Sequence, residues 1–140
     1  IMSLRNTETG AVLERMVLHS LIYGGYLSQS QQYIGSRPGG GRHKIDVVAN
    51  RGDRNVLISL KWQQVGGTAE QKVPFEVICL MDAMDQNPNY QKAYLVLGGE
   101  GWTLRDFYIS GDLQQYIPYG DRVEIVTLER FIMKANMAKL

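Results

Sequence analysis

The chain has almost nothing with which to staple itself. Cys79 is the single cysteine among 140 residues, which excludes an internal disulfide and any zinc site built from cysteines. With two histidines and no His/Cys cluster, the residue types favour oxygen-ligand chemistry over zinc. No apolar run reaches the length that spans a bilayer, and no signal-peptide pattern opens the chain, so the expectation is an intracellular protein without a membrane partner. Charge of one sign is missing too. Fifteen Lys and Arg against fourteen Asp and Glu leave a net +1, so no global basic field announces a nucleic acid, and any such surface must be local. Arg37, Arg42, His43, Lys44, Arg51 and Arg54 fall within eighteen positions and are the candidates. Such a cluster also reads as a wet loop and turn.

What is present is the composition of one globular domain. Apolar residues make up 44% and charged residues 21%, enough for a core and too apolar for a disordered chain. Neither an internal repeat nor a low-complexity stretch interrupts residues 1–140, so a single domain is expected.

The informative stretch is residues 41–64. Residues 44–49 and 56–63 alternate with the period of two expected of strands. Between them, residues 50–55 are dense in turn formers, and Gly52 tolerates a positive φ. If the turn centres on Gly52 and Asp53, Asp46 lies opposite Ser59 and Lys44 opposite Lys61, because partners in an antiparallel pair share a face. Asp46, Ser59, Lys61 and Gln63 then point from one side of the hairpin. A solvated sheet face would also carry such residues. However, Leu57 shares that side, and the next segment reads as a helix able to cover it.

Around this hairpin the pattern predicts a helix over 7–23, stopped by Gly24 and Gly25, with Leu13, Met16, Val17, Leu21 and Ile22 as its apolar stripe. Glu14 borders that stripe, and His19 reads as structural. A polar edge strand is expected over 26–34, followed by a mobile loop over 35–42. Thr68 reads as the cap of a helix reaching Gln86, with Pro74 kinking it or delaying its start. Val73, Val77, Ile78, Leu80, Met81 and Met84 are its core residues, and Cys79 is a small buried one. A buried strand over 93–97, a helix over 102–109, a strand over 123–128 and a closing helix over 129–140 complete the chain. Phe131, Ile132 and Met137 are the expected anchors of that last helix. The order implies an α/β fold, a mixed central sheet flanked by helices.

A glutamate on the first helix, Glu14, then Ile45-Asp46, then Ser59-Leu60-Lys61 resembles the PD-(D/E)XK nuclease superfamily of restriction and homing endonucleases and resolvases. Residues 61–76 also resemble its strand-to-helix passage. The resemblance covers about residues 10–97, with 98–140 as a strand–helix extension, and implies a restriction-endonuclease-like core. Two positions depart from the motif. Ile45 replaces its proline, and Ser59 replaces the acid that normally binds metal. Gln63 on the same strand face, Glu76 on the following helix, or Glu70 would have to compensate; strand parity favours Gln63 and charge favours Glu76.

The resemblance implies a Mg²⁺-dependent phosphodiesterase, with Mn²⁺ as a substitute. Asp46 is the main metal ligand, the Leu60 backbone carbonyl a second, and Glu14 a holder of water or of another ion. Lys61 orients or deprotonates the attacking water. The leading expectation is an endonuclease cutting double-stranded DNA in a sequence-specific way, as a homodimer or higher homo-oligomer. The alternatives are a Holliday-junction or repair nuclease, a DNA-binding protein that has lost cleavage, and a plain interaction domain.

Overall fold

The computed structural model describes the backbone from residue 2 to residue 140 and side chains from residue 10 onward. Helix α1 (Met2–Tyr23) leads into strands β1 (Leu27–Ser36), β2 (Arg42–Arg51) and β3 (Arg54–Trp62). A 3-10 turn at Ala69–Lys72 precedes α2 (Val73–Gln86) and β4 (Lys92–Gly98). Helix α3 (Arg105–Ile109), a second 3-10 turn at Asp112–Gln115, β5 (Val123–Thr127) and α4 (Leu128–Asn136) follow. The strands form one five-stranded sheet in sequence order. The pairs β1–β2 and β2–β3 are antiparallel, whereas β3, β4 and β5 are mutually parallel. This is the mixed α/β sheet that the element order implied.

Two cores sandwich the sheet. On one face Leu57, Leu95 and Ile125 pack with Val73, Val77 and Leu80 of α2. On the other, Val56, Ile58, Val96 and Val126 pack with Leu13, Val17 and Leu21 of α1 and Phe131 of α4. The parallel strands β3 and β4 are buried on both sides, which is why they read as continuous apolar runs. Each such Val or Leu contributes about 1.5–3 kcal/mol by leaving water, so a charge at Leu57 or Leu95 would break the fold.

Tertiary packing moved several boundaries. α1 starts at Met2, not at residue 7, and of its expected stripe Met16 and Ile22 are exposed, at 44% and 68%. The buried stripe is instead Leu13, Val17 and Leu21 with Ser20, whose hydroxyl donates to the Val17 carbonyl at 2.7 Å. Gly24 ends α1 where no Cβ fits, since one would meet the Ala135 carbonyl oxygen of α4 at 1.9 Å. The helix expected from Thr68 is split, because Pro74 lacks an N–H and is accommodated only in a first turn. α2 therefore starts at Val73, and Thr68 makes no side-chain cap. Ile78, expected in the core, is 37% exposed. Trp102, expected in a helix, precedes α3 and donates its indole N–H to the Gly98 carbonyl at 2.8 Å. Thr127 caps α4 by accepting from the Arg130 N–H, so Leu128 belongs to the helix and not to β5. Phe131 anchors α4, whereas Met137 is 54% exposed. No helix among the described residues is long and apolar enough to cross a membrane.

Candidate active site

The hairpin register is the one that the turn chemistry predicted. Arg51 pairs with Arg54 across Gly52 and Asp53, and the ladder continues to Val47 opposite Ile58. Gly52 takes φ +62° there. Beyond Val47 the two strands part. The next residue, Asp46, substitutes its side chain for the ladder, and its Oδ2 accepts the Leu60 N–H at 2.7 Å. Packing reverses at the same residue. Val47 and Ala49 belong to the α1-side core, whereas Ile45 belongs to the α2-side core. The strand rolls over at Asp46, so the expected pairing of Lys44 with Lys61 does not form. On its other edge Lys44 keeps its pairing with Tyr33 of β1.

Into this wedge α2 delivers a carboxylate. Ser59 is buried, and its hydroxyl donates to Glu76 Oε2 at 2.7 Å. A helix acid thus sits against the strand position where the motif's own acid is missing. Burial raises the Asp46 pKa, and the nearby Glu76 charge adds to the rise. The Leu60 N–H and the Lys61 ammonium oppose it without cancelling it. Lys61 is half-buried on the same sheet face, and among the described residues it makes no ion pair within 4 Å.

Gln63 follows directly after the end of β3, and its amide is committed elsewhere. Its Nε2 donates to Glu70 Oε1 at 2.9 Å and to the Gly101 carbonyl at 2.7 Å, and its Oε1 accepts the Ala69 N–H at 3.0 Å. Glu70 also accepts from the N–H and hydroxyl of Thr103. The Thr103 hydroxyl foremost, then the Thr103 and Leu104 N–H groups and Gln63, outweigh burial and hold the Glu70 carboxyl below its ordinary pKa. Two of the three residues that were to compensate for Ser59 therefore bond to each other, and the third, Glu76, bonds to Ser59.

On the opposite side of the wedge, Glu14 is half-buried on α1 and accepts a hydrogen bond from Gln31 Nε2 at 3.2 Å. Gln31 stands across from Asp46, between the pairs Ser30–Val47 and Gln32–Ile45, and its amide slightly lowers the Asp46 pKa. Glu14 and Gln31 thus lie on the β1 side of Asp46, with Ser59 and Lys61 on its β3 side. Gln31 was not singled out in the sequence; its one signal there is a place in the polar run Gln29, Gln31, Gln32 of an edge strand.

A family model described as a PD-(D/E)XK nuclease superfamily domain matches residues 5–139. The chain belongs to this superfamily. No curated protein matches the sequence. Among solved structures, the protein of unknown function AF1548 shares the fold with a TM-score of 0.54 at 10% identity; the alignment covers 82% of this chain and 57% of that one. Membership makes a nuclease the coarse functional assignment, and nucleases of the superfamily generally use divalent metal ions.

The residues of the wedge fit such an ion. Among the described residues no group of three or more His, Cys, Asp or Glu side chains is arranged to hold a metal; an ion such as Mg²⁺ asks for only one or two carboxylates and keeps several waters. Asp46 and Glu76 offer hard oxygen donors. The Leu60 carbonyl faces the same gap as its N–H, since both groups of a strand residue point to one side. Burial disfavours the charge of Asp46 and raises its pKa, a penalty that a nearby cation would offset.

The basic cluster divides. Arg42 and Lys44 are exposed and Arg37 is half-buried at the wedge end of the β1–β2 hairpin, with the Arg42 guanidinium 3.5 Å from the centre of the Tyr33 ring. Arg51 and Arg54 flank the far turn, about 17 Å along β2 from Asp46 at the rise of a strand. Their guanidinium groups donate to the carbonyls of Gly24 and Leu140. His43, expected on the surface, is fully buried, and neither ring nitrogen has a hydrogen-bond partner. The roll of β2 turns it inward beside Ile45, and burial lowers its pKa against the pull of Glu76.

Proposed function

We propose that the chain is a Mg²⁺-dependent endonuclease of double-stranded DNA in which Glu76 supplies the acid that the Ser59 position lacks. The observation that supports it most is the 2.7 Å hydrogen bond from Ser59 to Glu76. It brings a second carboxylate to Asp46 from another element, so the site has its two acids despite the broken motif.

In this reading Asp46, Glu76 and the Leu60 carbonyl hold the ion, with Mn²⁺ as a substitute, and Glu14 orders water at its rim. The ion, when bound, neutralises phosphate charge and acidifies water. Lys61 orients the attacking water and accepts its proton or offsets the charge growing on the phosphate oxygens. Water's oxygen forms the new bond to phosphorus, the bond to the leaving sugar oxygen breaks, and that oxygen takes up a proton. Arg37, Arg42 and Lys44 contact the backbone of the duplex; Arg51, Arg54 and His43 are left out of this role. Two copies of the chain are needed to cut both strands.

Plasmid nicking in Mg²⁺ against EDTA is the test, with Glu76→Gln and Gln63→Ala beside wild type. The reading expects Mg²⁺-dependent nicking that falls at least about tenfold, roughly 1.4 kcal/mol of transition-state stabilisation, in Glu76→Gln. No nicking by wild type on a plasmid or a four-way junction would sink it. Nicking confined to the junction would replace duplex cleavage with junction resolution. Discrete fragments from a long duplex, as opposed to a smear, would mark sequence-specific cleavage of the restriction or homing type.

A further inference from the structure

One strand residue near the wedge has a backbone conformation that its side chain disfavours. Gln31, in the middle of β1, has φ +55°, a left-handed conformation that glycine adopts freely and residues with a Cβ rarely do. Ala138, near the C-terminus, is the only other non-glycine residue with positive φ among the described residues. Gln31 stands between the pairs Ser30–Val47 and Gln32–Ile45, directly across from Asp46, where β2 rolls over. Its Nε2 donates to Glu14 Oε2 at 3.2 Å, and its place in the ladder sets the same side chain beside that of Asp46. Nothing on the far side of β1 forces the conformation, because β1 is the edge of the sheet.

We propose that Gln31 is a positioning residue for the metal site, its strained backbone holding a neutral amide between the Glu14 and Asp46 carboxylates so that both face one ion. This inference rests on the nuclease reading and deepens it. A primary amide suits the task because it offers donors and an acceptor on one rigid plane. Its NH₂ group donates to Glu14 and stands between two carboxylates that would otherwise repel. An ion held by Asp46 would leave the amide oxygen free to accept from one of its waters while an N–H stays on Glu14. A hydrocarbon or a charged side chain at this place could not serve both states.

Gln31→Gly separates the amide from the backbone, because glycine takes φ +55° without strain and has no side chain. Three measurements on the full chain test the inference: the melting temperature without metal, Mn²⁺ affinity by calorimetry without DNA, and plasmid nicking. We expect Gln31→Gly to melt at or above wild type, yet to bind Mn²⁺ about tenfold or more weakly, the usual scale for removing an outer partner of a metal ligand. Nicking should need correspondingly more metal. Gln31→Asn, which tolerates the left-handed region but falls short of the carboxylates, should lose affinity in the same way. A Gln31→Gly protein with wild-type Mn²⁺ affinity and nicking would overturn the proposal and leave the strain as a feature of strand shape alone. If Gln31→Gly melts well below wild type, Gln31→Asn decides, and normal Mn²⁺ affinity there overturns it as well. A wild-type protein that neither binds Mn²⁺ nor nicks would remove the nuclease reading itself, an outcome distinct from both.

Discussion

Glu70 and Glu76 lie one and a half helical turns apart in sequence, both buried to within a few per cent, and they sit in opposite chemical situations. Glu70 is saturated. Thr103 and Gln63 donate three hydrogen bonds to it, the Tyr108 hydroxyl bonds its backbone carbonyl, and its pKa is lowered. Glu76 accepts one hydroxyl, from Ser59, and faces Asp46, whose pKa is raised. A carboxylate with its donors in place stabilises a fold; one left short of donors beside a second acid is poised for a cation. The difference separates a structural strut from a candidate metal ligand where residue type alone cannot.

The largest effect should come from the under-satisfied side. Asp46→Asn should reduce nicking to background, at least about a thousandfold or roughly 4 kcal/mol, while DNA affinity in a gel shift stays equal or rises as a repelling charge is lost. Its stability should move the other way. A raised folded-state pKa means that the protonated form suits the fold. The contribution is full below the unfolded pKa of about 3.8 and is lost as pH rises through the folded value. Above the folded value, ionised Asp46 weakens the metal-free protein, so there Asp46→Asn should melt at or above wild type. Mg²⁺ should raise the melting temperature of wild type only. A variant that melts far lower would mean that Asp46 is a strut like Glu70.

Lys61→Ala should lose about a hundredfold in nicking while keeping the fold, since a positioned base or cation is worth that much in rate. Circular dichroism and melting check the fold; a collapsed variant would make Lys61 structural.

Glu70→Gln should show the mirror image. Losing charge-assisted hydrogen bonds costs about 2 kcal/mol or more of stability, read by urea unfolding, with Mn²⁺ affinity unchanged. Because the folded pKa is lowered, this stabilisation is present above the unfolded value near 4.5 and is lost as pH falls through the lower folded value. The cost of the substitution should shrink accordingly in acid. A changed Mn²⁺ affinity in Glu70→Gln would erase the contrast with Glu76.

The smallest effect on cleavage belongs to Gln63→Ala, because the Gln63 amide serves the strut. It should lose stability and nick within about threefold of wild type once folded. A tenfold loss would return Gln63 to the site, where strand parity had placed it.

Much of the framework could be read from local rules. Alternation and a two-residue turn at Gly52 and Asp53 settle the β2–β3 register without reference to the rest of the chain, because a slip of one residue would turn every apolar side chain into water. That register put Asp46, Ser59 and Lys61 on one side of the sheet, and the apolar runs of β3 and β4 announced strands covered on both faces. Long-range contacts settled the remainder. Parity put Gln63 on the Lys61 face, but it could not foresee that β3 ends at Trp62 and that Ala69, Glu70 and Gly101 would take every group of the Gln63 amide. Nor does any local pattern reveal that β2 rolls at Asp46, which buries His43 and separates Lys44 from Lys61. The reach of Glu76 depends on where Pro74 lets α2 begin, and Gln31 matters only because α1 and β2 bring Glu14 and Asp46 to its two sides. Alternation and turn chemistry act between neighbours in the chain, so sequence conveys them. Hydrogen-bond partners seven to fifty residues apart are selected by packing, and they exist only once the sheet and its helices have closed.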